Sequence, residues 1–163
     1  MHIRHLIVAL TLIGTTGLHA QSAQFSASAT VVPPITVSGT QPLDFGTVMQ
    51  GVNSNVNFNN VTSGRFSVTG MGNAQVLFTL TLPTTLSNGA TTMPISNYGV
   101  RVNDVNSSAG ASQVIVISGV PFVRNLVSGA LFFFIGGRVS PSATQAFGTY
   151  SGSITLAAAY TGL

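Results

Sequence analysis

The sequence predicts an all-β protein that folds as a single β-sandwich domain. Three observations support this prediction. Short runs of alternating apolar and polar residues recur along the chain, as in strands with one buried face. Residues that favour turns (Gly, Pro, Asn) separate these runs. Glu and Lys, which favour helices, are absent from all 163 residues.

The chain begins with the features of a signal peptide. A short basic start that includes Arg4 precedes an apolar stretch, and Ala20 is a small residue suited to cleavage. We therefore expect residues 1–20 to be removed on export through the periplasm. Residues 21–34 then form an N-terminal extension, and residues 35–163 form the sandwich domain.

The extension contains a run with strict period-two alternation. In "QFSASATVV" (24–32), apolar and polar side chains point to opposite faces if the run is extended. Pro33-Pro34 follows directly, which keeps the backbone extended and hinders a tight turn back onto the same domain. The pattern leaves open whether the apolar face enters its own core or that of a neighbour.

Further strands follow in order. The run 52–59 places Val52, Val56 and Phe58 opposite four Asn residues. "GRFSVTG" and "QVLFTLTL" predict strands with inward Phe66 and Val68, and then inward Val76, Phe78, Leu80 and Leu82. Asn88-Gly89 predicts a two-residue hairpin turn, because both residues tolerate positive φ.

The second half of the chain contains two more predicted strands. Residues 131–135 are apolar on both faces, so the strand is either central between layers or has a face that awaits a partner. The last strand places Tyr150, Ile154, Leu156, Ala158 and Tyr160 on one face. No repeat or linker divides the chain, so we predict one domain.

Charge argues against a nucleic-acid partner. After residue 20 the chain has four Arg and two Asp, and these Arg are scattered along the sequence. Polyanion binding requires clustered cations. The high isoelectric point therefore reflects a scarcity of ionisable groups, and we expect no nucleic-acid partner and contact with membrane only in transit.

Catalysis is also not expected. After residue 20 there is no His, Cys, Lys or Glu. Most of the usual acid–base residues are therefore missing, and neither a Cys/His zinc site nor a Ser-His-Asp triad can be assembled. Only a pair of Asp44 with Asp104, or a Tyr base, remains, and neither has supporting local sequence. We predict no enzyme activity, no catalytic residue, no metal site and no cofactor.

Three segments in this order resemble a known bacterial family: "PLDFGTVMQG" (42–51), "GRFSVTGMGNAQVLFTLTLP" (64–83) and "GGRVSPSATQAFGTYSGSITLAAAY" (136–160). They are similar to a family of exported proteins that is described only as a domain of unknown function. The "LDFGT" and "GTYSG" segments more distantly resemble chaperone–usher pilins, especially the archaic, spore-coat-like branch.

The pilin resemblance implies an immunoglobulin-like β-sandwich that is incomplete and that a neighbour's N-terminal strand completes. It implies a donor strand with Phe25, Ala27, Ala29 and Val31 at the interface, and an acceptor groove bordered by the closing strand. The acceptor candidates are Ile154, Leu156 and Tyr160. The implied partners are copies of the same chain, with a periplasmic chaperone and usher as helpers, in an extracellular filament or at the cell surface.

The composition is compatible with this implication. A surface with so few charges suits a protein that is mostly buried in an assembly, since free monomers generally rely on net charge for solubility. The alternative is a self-contained secreted or surface β-sandwich that binds a ligand such as a glycan. The absence of Trp argues mildly against that alternative, because interface hot spots favour Trp and Tyr.

Overall fold

The computed structural model of the chain describes residues 21–162, and within this range it contains ten β-strands and no helix. The all-β prediction is therefore confirmed. The strands are β1 (Thr36–Gln41), β2 (Ser54–Val56), β3 (Gly64–Thr69), β4 (Gln75–Thr81), β5 (Thr85–Ser87), β6 (Thr92–Asn103), β7 (Ser112–Val114), β8 (Phe122–Asn125), β9 (Ala130–Val139) and β10 (Thr155–Tyr160).

The strands form two antiparallel sheets. The seven-stranded sheet has the order β1-β3-β9-β6-β5, with β2 also paired to β9 and β7 also paired to β6. The three-stranded sheet has the order β10-β4-β8. Immunoglobulin domains have strands A-B-E-D in one sheet and C-F-G in the other. Here β1-β3-β9-β6 follow the order A-B-E-D, and the paired β4 and β10 correspond to C and F.

The main hydrophobic cluster lies between the two sheets. Val76, Phe78 and Leu80 of β4 are completely buried there, as the period-two pattern predicts. The Phe78 ring packs edge-on against Phe133 of β9, with the centroids 5.3 Å apart. Burial of large side chains from both sheets stabilises their packing, each by about 1.5–3 kcal/mol relative to exposure.

A second hydrophobic cluster lies against another part of the large sheet. Met93 and Ile95 of β6 and Val139 of β9 form its buried centre. Loop residues cover it, including Phe45 and Val48 before β2 and Tyr150 before β10. The sequence pattern predicts Tyr150 on one face of the last strand, but in the structure β10 begins only at Thr155.

The strand β9 decides between the two interpretations of the apolar run 131–135. It lies between β3 and β6, so it is a central strand. Its inner side chains Phe133 and Ile135 are buried in the main cluster, and Phe134 on the outer face is only 1% exposed. The run therefore has no face that awaits a partner.

Two local predictions need correction. The β5–β6 connection is a four-residue turn over 88–91, in which Asn88 Oδ1 accepts hydrogen bonds from the backbone N–H groups of Ala90 and Thr91. Among the four residues of this turn, only Gly89 has positive φ. The strand predicted over 52–59 is limited to β2, because the backbone of residues 57–60 turns, with Asn60 N–H donating to Asn57 O.

The predictions for the N-terminus lie partly outside the described residues. The predicted signal peptide, residues 1–20, is outside them altogether. Residues 21–31 belong to a separate unit from residues 32–163. Within 21–31 no strand is formed and every side chain is exposed, with Phe25 and Val31 each 94% exposed. In residues 21–162 no helix is both long and apolar enough to span a bilayer.

Candidate functional site

The outer edge of β10 is the most distinctive feature of the sandwich. β10 pairs with β4 along all six of its residues, from Thr155↔Thr81 to Tyr160↔Val76. On its other side no strand of the described chain pairs with it. This is the position that strand G takes in an immunoglobulin domain. The main-chain N–H and C=O groups that face outward from β10 are thus available for a further strand.

The side chains of β10 alternate between the core and solvent. Leu156, Ala158 and Tyr160 pack against the main cluster but are only partly buried, whereas Ala157 and Ala159 are exposed. Ile154, directly before the strand, also packs against this cluster and is partly buried. A complete sandwich would cover such inward-facing apolar side chains, so this edge of the core is open.

The strand β1 forms the opposite side of the opening. It lies close to β10, although no main-chain pairing joins the two strands in the described part of the chain. Ile35 and Val37 from this side also pack against the main cluster and are partly buried. We call the opening between β1 and β10 the edge groove, with these lining side chains: Ile35, Val37, Ile154, Leu156, Ala158 and Tyr160.

Tyr160 closes one end of the edge groove. Its hydroxyl donates a hydrogen bond to Pro33 O at 2.9 Å and accepts one from Met71 N–H at 2.7 Å. These bonds join the end of β10 to the chain before β1 and to the β3–β4 turn. The start of β1 therefore lies beside the end of β10.

A cavity of about 890 Å³ lies near the opposite end, where β1 ends and β10 begins. Its walls are the loops 42–50 and 145–152, and Leu86, Met93 and Val139 also line it. Leu43 lines this cavity and packs against both hydrophobic clusters. The rim residues Met49 and Phe147 are 71% and 88% exposed.

Hydrogen bonds hold the loops around the cavity. The amide of Gln145, a side chain only 8% exposed, donates to Thr92 O and to the Tyr150 hydroxyl. The Tyr150 hydroxyl donates to Ala146 O, and Gln50 Nε2 donates to Gln145 O. Asp44 Oδ1 accepts from Gly46 N–H, which forms a local turn. The polar groups therefore serve the loop conformation.

The predicted site residues divide into two groups. The acceptor candidates Ile154, Leu156 and Tyr160 all line the edge groove. The donor candidates Phe25, Ala27, Ala29 and Val31 are exposed and lie outside any strand. Sequence reasoning missed Ile35, Val37 and the loop-lined cavity. The alternation in "ITVSG" could have indicated the first two, but a cavity between two loops leaves no periodic pattern.

The residues that could take part in acid–base chemistry do not share one site. Asp44 lines the loop cavity, whereas Asp104 lines a different cavity of about 420 Å³ beside β8. Within residues 21–162 no group of three His, Cys, Asp or Glu side chains could hold a metal ion. Burial raises the pKa of Tyr98 to about 12, and its hydroxyl donates to Pro83 O at 2.7 Å.

Comparison with known families places the chain in one of them. The model of an uncharacterised family, described as a domain of unknown function (DUF4402), matches residues 35–160. The chain belongs to this family. The matched range includes all ten strands and begins after the N-terminal extension. No curated protein matches the chain.

Proposed function

We propose that this protein is a non-catalytic structural subunit of an extracellular filament or pilus, assembled by donation of its N-terminal segment to the next copy. The observation that carries the proposal is the unpaired outer edge of β10, beside apolar side chains of the main cluster that are only partly buried. An extended segment that adds to such an edge gains main-chain hydrogen bonds, and alternate side chains in the groove supply specificity.

The N-terminal segment has suitable length and pattern for this role. Seven residues from Phe25 to Val31 span about 20 Å when extended, and the six residues of β10 span about 17 Å. The central interface residues Ala27 and Ala29 are small, which suits a groove whose floor already holds Leu156 and Tyr160. Two large exposed apolar side chains, Phe25 and Val31, would be covered on donation.

The chemistry of the chain is consistent with an assembly role. Few charges oppose close contact between copies, since the residues after 20 contain only four Arg and two Asp. The proposal places the protein outside the cell after export, with further copies of itself as partners. A periplasmic chaperone and usher would protect the groove before assembly and guide export.

The decisive experiment uses two pairs of matched substitutions in the chain 21–163. Ala158→Arg places a charge on the groove side of β10, whereas Ala159→Arg places the same charge on the exposed side of the same strand. Ala29→Arg changes the donor face, and Ser28→Arg changes the opposite face. Electron microscopy and unheated detergent gels report polymers.

We expect polymers from the unchanged chain and from the Ser28→Arg and Ala159→Arg variants, and none from Ala29→Arg or Ala158→Arg. A mixture of the last two variants should form one-to-one pairs, because one retains a groove and the other a donor. If the unchanged chain stays a monomer that unfolds cooperatively, or if the mixture forms no pairs, strand donation is wrong.

A further inference from the structure

Three of the four arginines after residue 20 share the outer face of the large sheet. Arg65 of β3 and Arg101 of β6 both pair with Phe134 of the central strand β9, so all three residues lie in one cross-strand row. Arg138 lies four residues further along β9, on the same face because side chains alternate. These arginines are distant in sequence, but the strand order of the sheet brings them onto one face.

Aromatic rings hold two of the guanidinium groups. Arg65 Cζ lies 5.5 Å from the centroid of the Phe134 ring, and Arg101 Cζ lies 4.9 Å from that of Phe58. Cation–π contact favours these positions. A guanidinium that is already oriented loses less conformational entropy when it binds a ligand. We call the face that contains Phe58, Arg65, Arg101, Phe134 and Arg138 the arginine face.

The charges on the arginine face lack a counter-charge. The only acidic residues of the sequence, Asp44 and Asp104, line the two cavities described above. The buried Nε atoms of Arg65 and Arg138 have no hydrogen-bond partner in the structure. The positive charge of this face is therefore not balanced by either carboxylate.

We propose that the arginine face binds an acidic polysaccharide through its carboxylate groups. The planar guanidinium fork matches a carboxylate and can form two parallel hydrogen bonds with it. Polar side chains on the same sheet face, Asn55 and Ser96 beside Arg138 and Ser67 beside Phe132, can bond to sugar hydroxyls. The face belongs to the large sheet, so this proposal does not depend on strand donation.

The number and spacing of the charges favour a sparse polyanion. Arg65 and Arg101 lie two strands apart, about 10 Å, and Arg138 lies about 13 Å further along β9 than Phe134. Duplex DNA carries one negative charge per about 1.7 Å of helix axis, which is far denser than the spacing of these arginines. Three widely spaced arginines instead suit a polymer with one carboxylate on every second sugar.

The test measures binding of hyaluronan, which has one carboxylate per disaccharide, to the chain 21–163 by isothermal titration calorimetry at low ionic strength. We expect saturable binding that weakens with added salt. The double variant Arg65→Gln/Arg101→Gln should bind at least tenfold more weakly, because two charge-assisted contacts are lost. Neutral dextran should not bind.

Arg124→Gln is the matched control, because it removes the fourth arginine, which lines the cavity beside β8. Its affinity should stay within about twofold of the unchanged chain. An equal loss in Arg124→Gln would mean that net charge alone drives binding and would overturn the proposal. Absence of hyaluronan binding, or tighter binding of single-stranded DNA at the same ionic strength, would also overturn it.

A second variant keeps every arginine, in case the double variant fails to fold. Ser67→Asp adds a carboxylate to the arginine face, since Ser67 pairs with Phe132 in the row next to that of Arg65. We expect hyaluronan affinity to fall by at least fivefold through repulsion of the ligand carboxylates. Unchanged affinity in this variant, with the fold intact by circular dichroism, would contradict the assignment.

Discussion

The two hydrophobic clusters lie under one large sheet but differ in what covers them. A three-stranded sheet covers the main cluster, and Phe78 and Leu80 of its central strand are completely buried. Loops cover the second cluster, and a cavity of about 890 Å³ lies between those loops. Main-chain pairing positions the first cover, whereas side-chain hydrogen bonds around Gln145 hold the second.

This difference indicates where the stability of the sandwich lies. A strand cover repeats its hydrogen bonds at every residue, and interdigitated side chains leave little space. The loops over the second cluster depend on a few hydrogen bonds between particular side chains. The cavity beside them lets neighbouring side chains move into space that a truncation vacates. Substitutions should therefore cost more in the main cluster than in the second.

The largest effect is expected for Phe78→Ala. Phe78 has no exposed surface and contacts the rings of Phe122 and Phe133, so truncation leaves a large cavity between the two sheets. We expect the free energy of unfolding to fall by about 3–5 kcal/mol. Chemical denaturation followed by circular dichroism measures it. A loss below 1 kcal/mol would mean that the main cluster is not the principal core.

A smaller effect is expected for Met93→Ala in the second cluster. Met93 is 4% exposed but borders the loop cavity, where neighbouring side chains can move into the vacated space. We expect a loss of about 2 kcal/mol, at the lower end for such truncations. The same denaturation experiment measures it, with Phe78→Ala as reference. If Met93→Ala costs more than Phe78→Ala, the comparison between the clusters is wrong.

Gln145→Ala tests the polar part of the loop cover. The substitution removes the amide that donates to Thr92 O and to the Tyr150 hydroxyl, and it removes the acceptor of Ser142 N–H. We expect a loss of about 1–2 kcal/mol. Hydrogen exchange should rise in residues 145–152 and stay unchanged in β4. Equal changes in both regions would show that the loops and the three-stranded sheet unfold as one unit.

The smallest effect is the alkaline pH dependence of stability that we expect from Tyr98, which packs against both clusters. Its pKa is about 12 in the fold because of burial, against about 10 when unfolded. The unfolded state therefore loses this proton first, so the contribution of Tyr98 is complete below pH 10 and is lost as pH rises towards 12.

Denaturation midpoints measured on either side of this pH window test the role of Tyr98. In the Tyr98→Phe variant, the midpoint should fall less between pH 10 and 12 than in the unchanged chain, since phenylalanine does not titrate. The variant also lacks the hydrogen bond to Pro83 O, which lowers its midpoint at neutral pH. An identical alkaline fall in both proteins would assign the effect to other groups.

Much of the fold follows from local pattern. The alternation in "GRFSVTG" and "QVLFTLTL" predicts β3 and β4 and the inward set Val68, Val76, Phe78 and Leu80, all of which are buried. The inward positions of Leu156 and Tyr160 also follow from period two in the last strand. Burial of one face fixes which side chains point inward, so local sequence suffices for such strands.

Other features could not be predicted in the same way. The β5–β6 turn has four residues because the Asn88 side chain bonds to the backbone, a choice that the Asn-Gly pair does not specify. The loop cavity requires two segments about a hundred residues apart, with Gln50 bonded to Gln145 O. Period and turn patterns report only neighbours in sequence, so they contain no information on such pairs.

The sequence by itself determined the all-β class, the inward face of each regular strand and the shortage of groups for acid–base chemistry. Only the tertiary structure decided that β10 has an unpaired edge, that β9 is central, and that Arg65, Arg101 and Arg138 share one face. The physical reason is that composition and periodicity are local, whereas strand order is set by long-range pairing. That pairing brings distant residues into one row and leaves particular edges open.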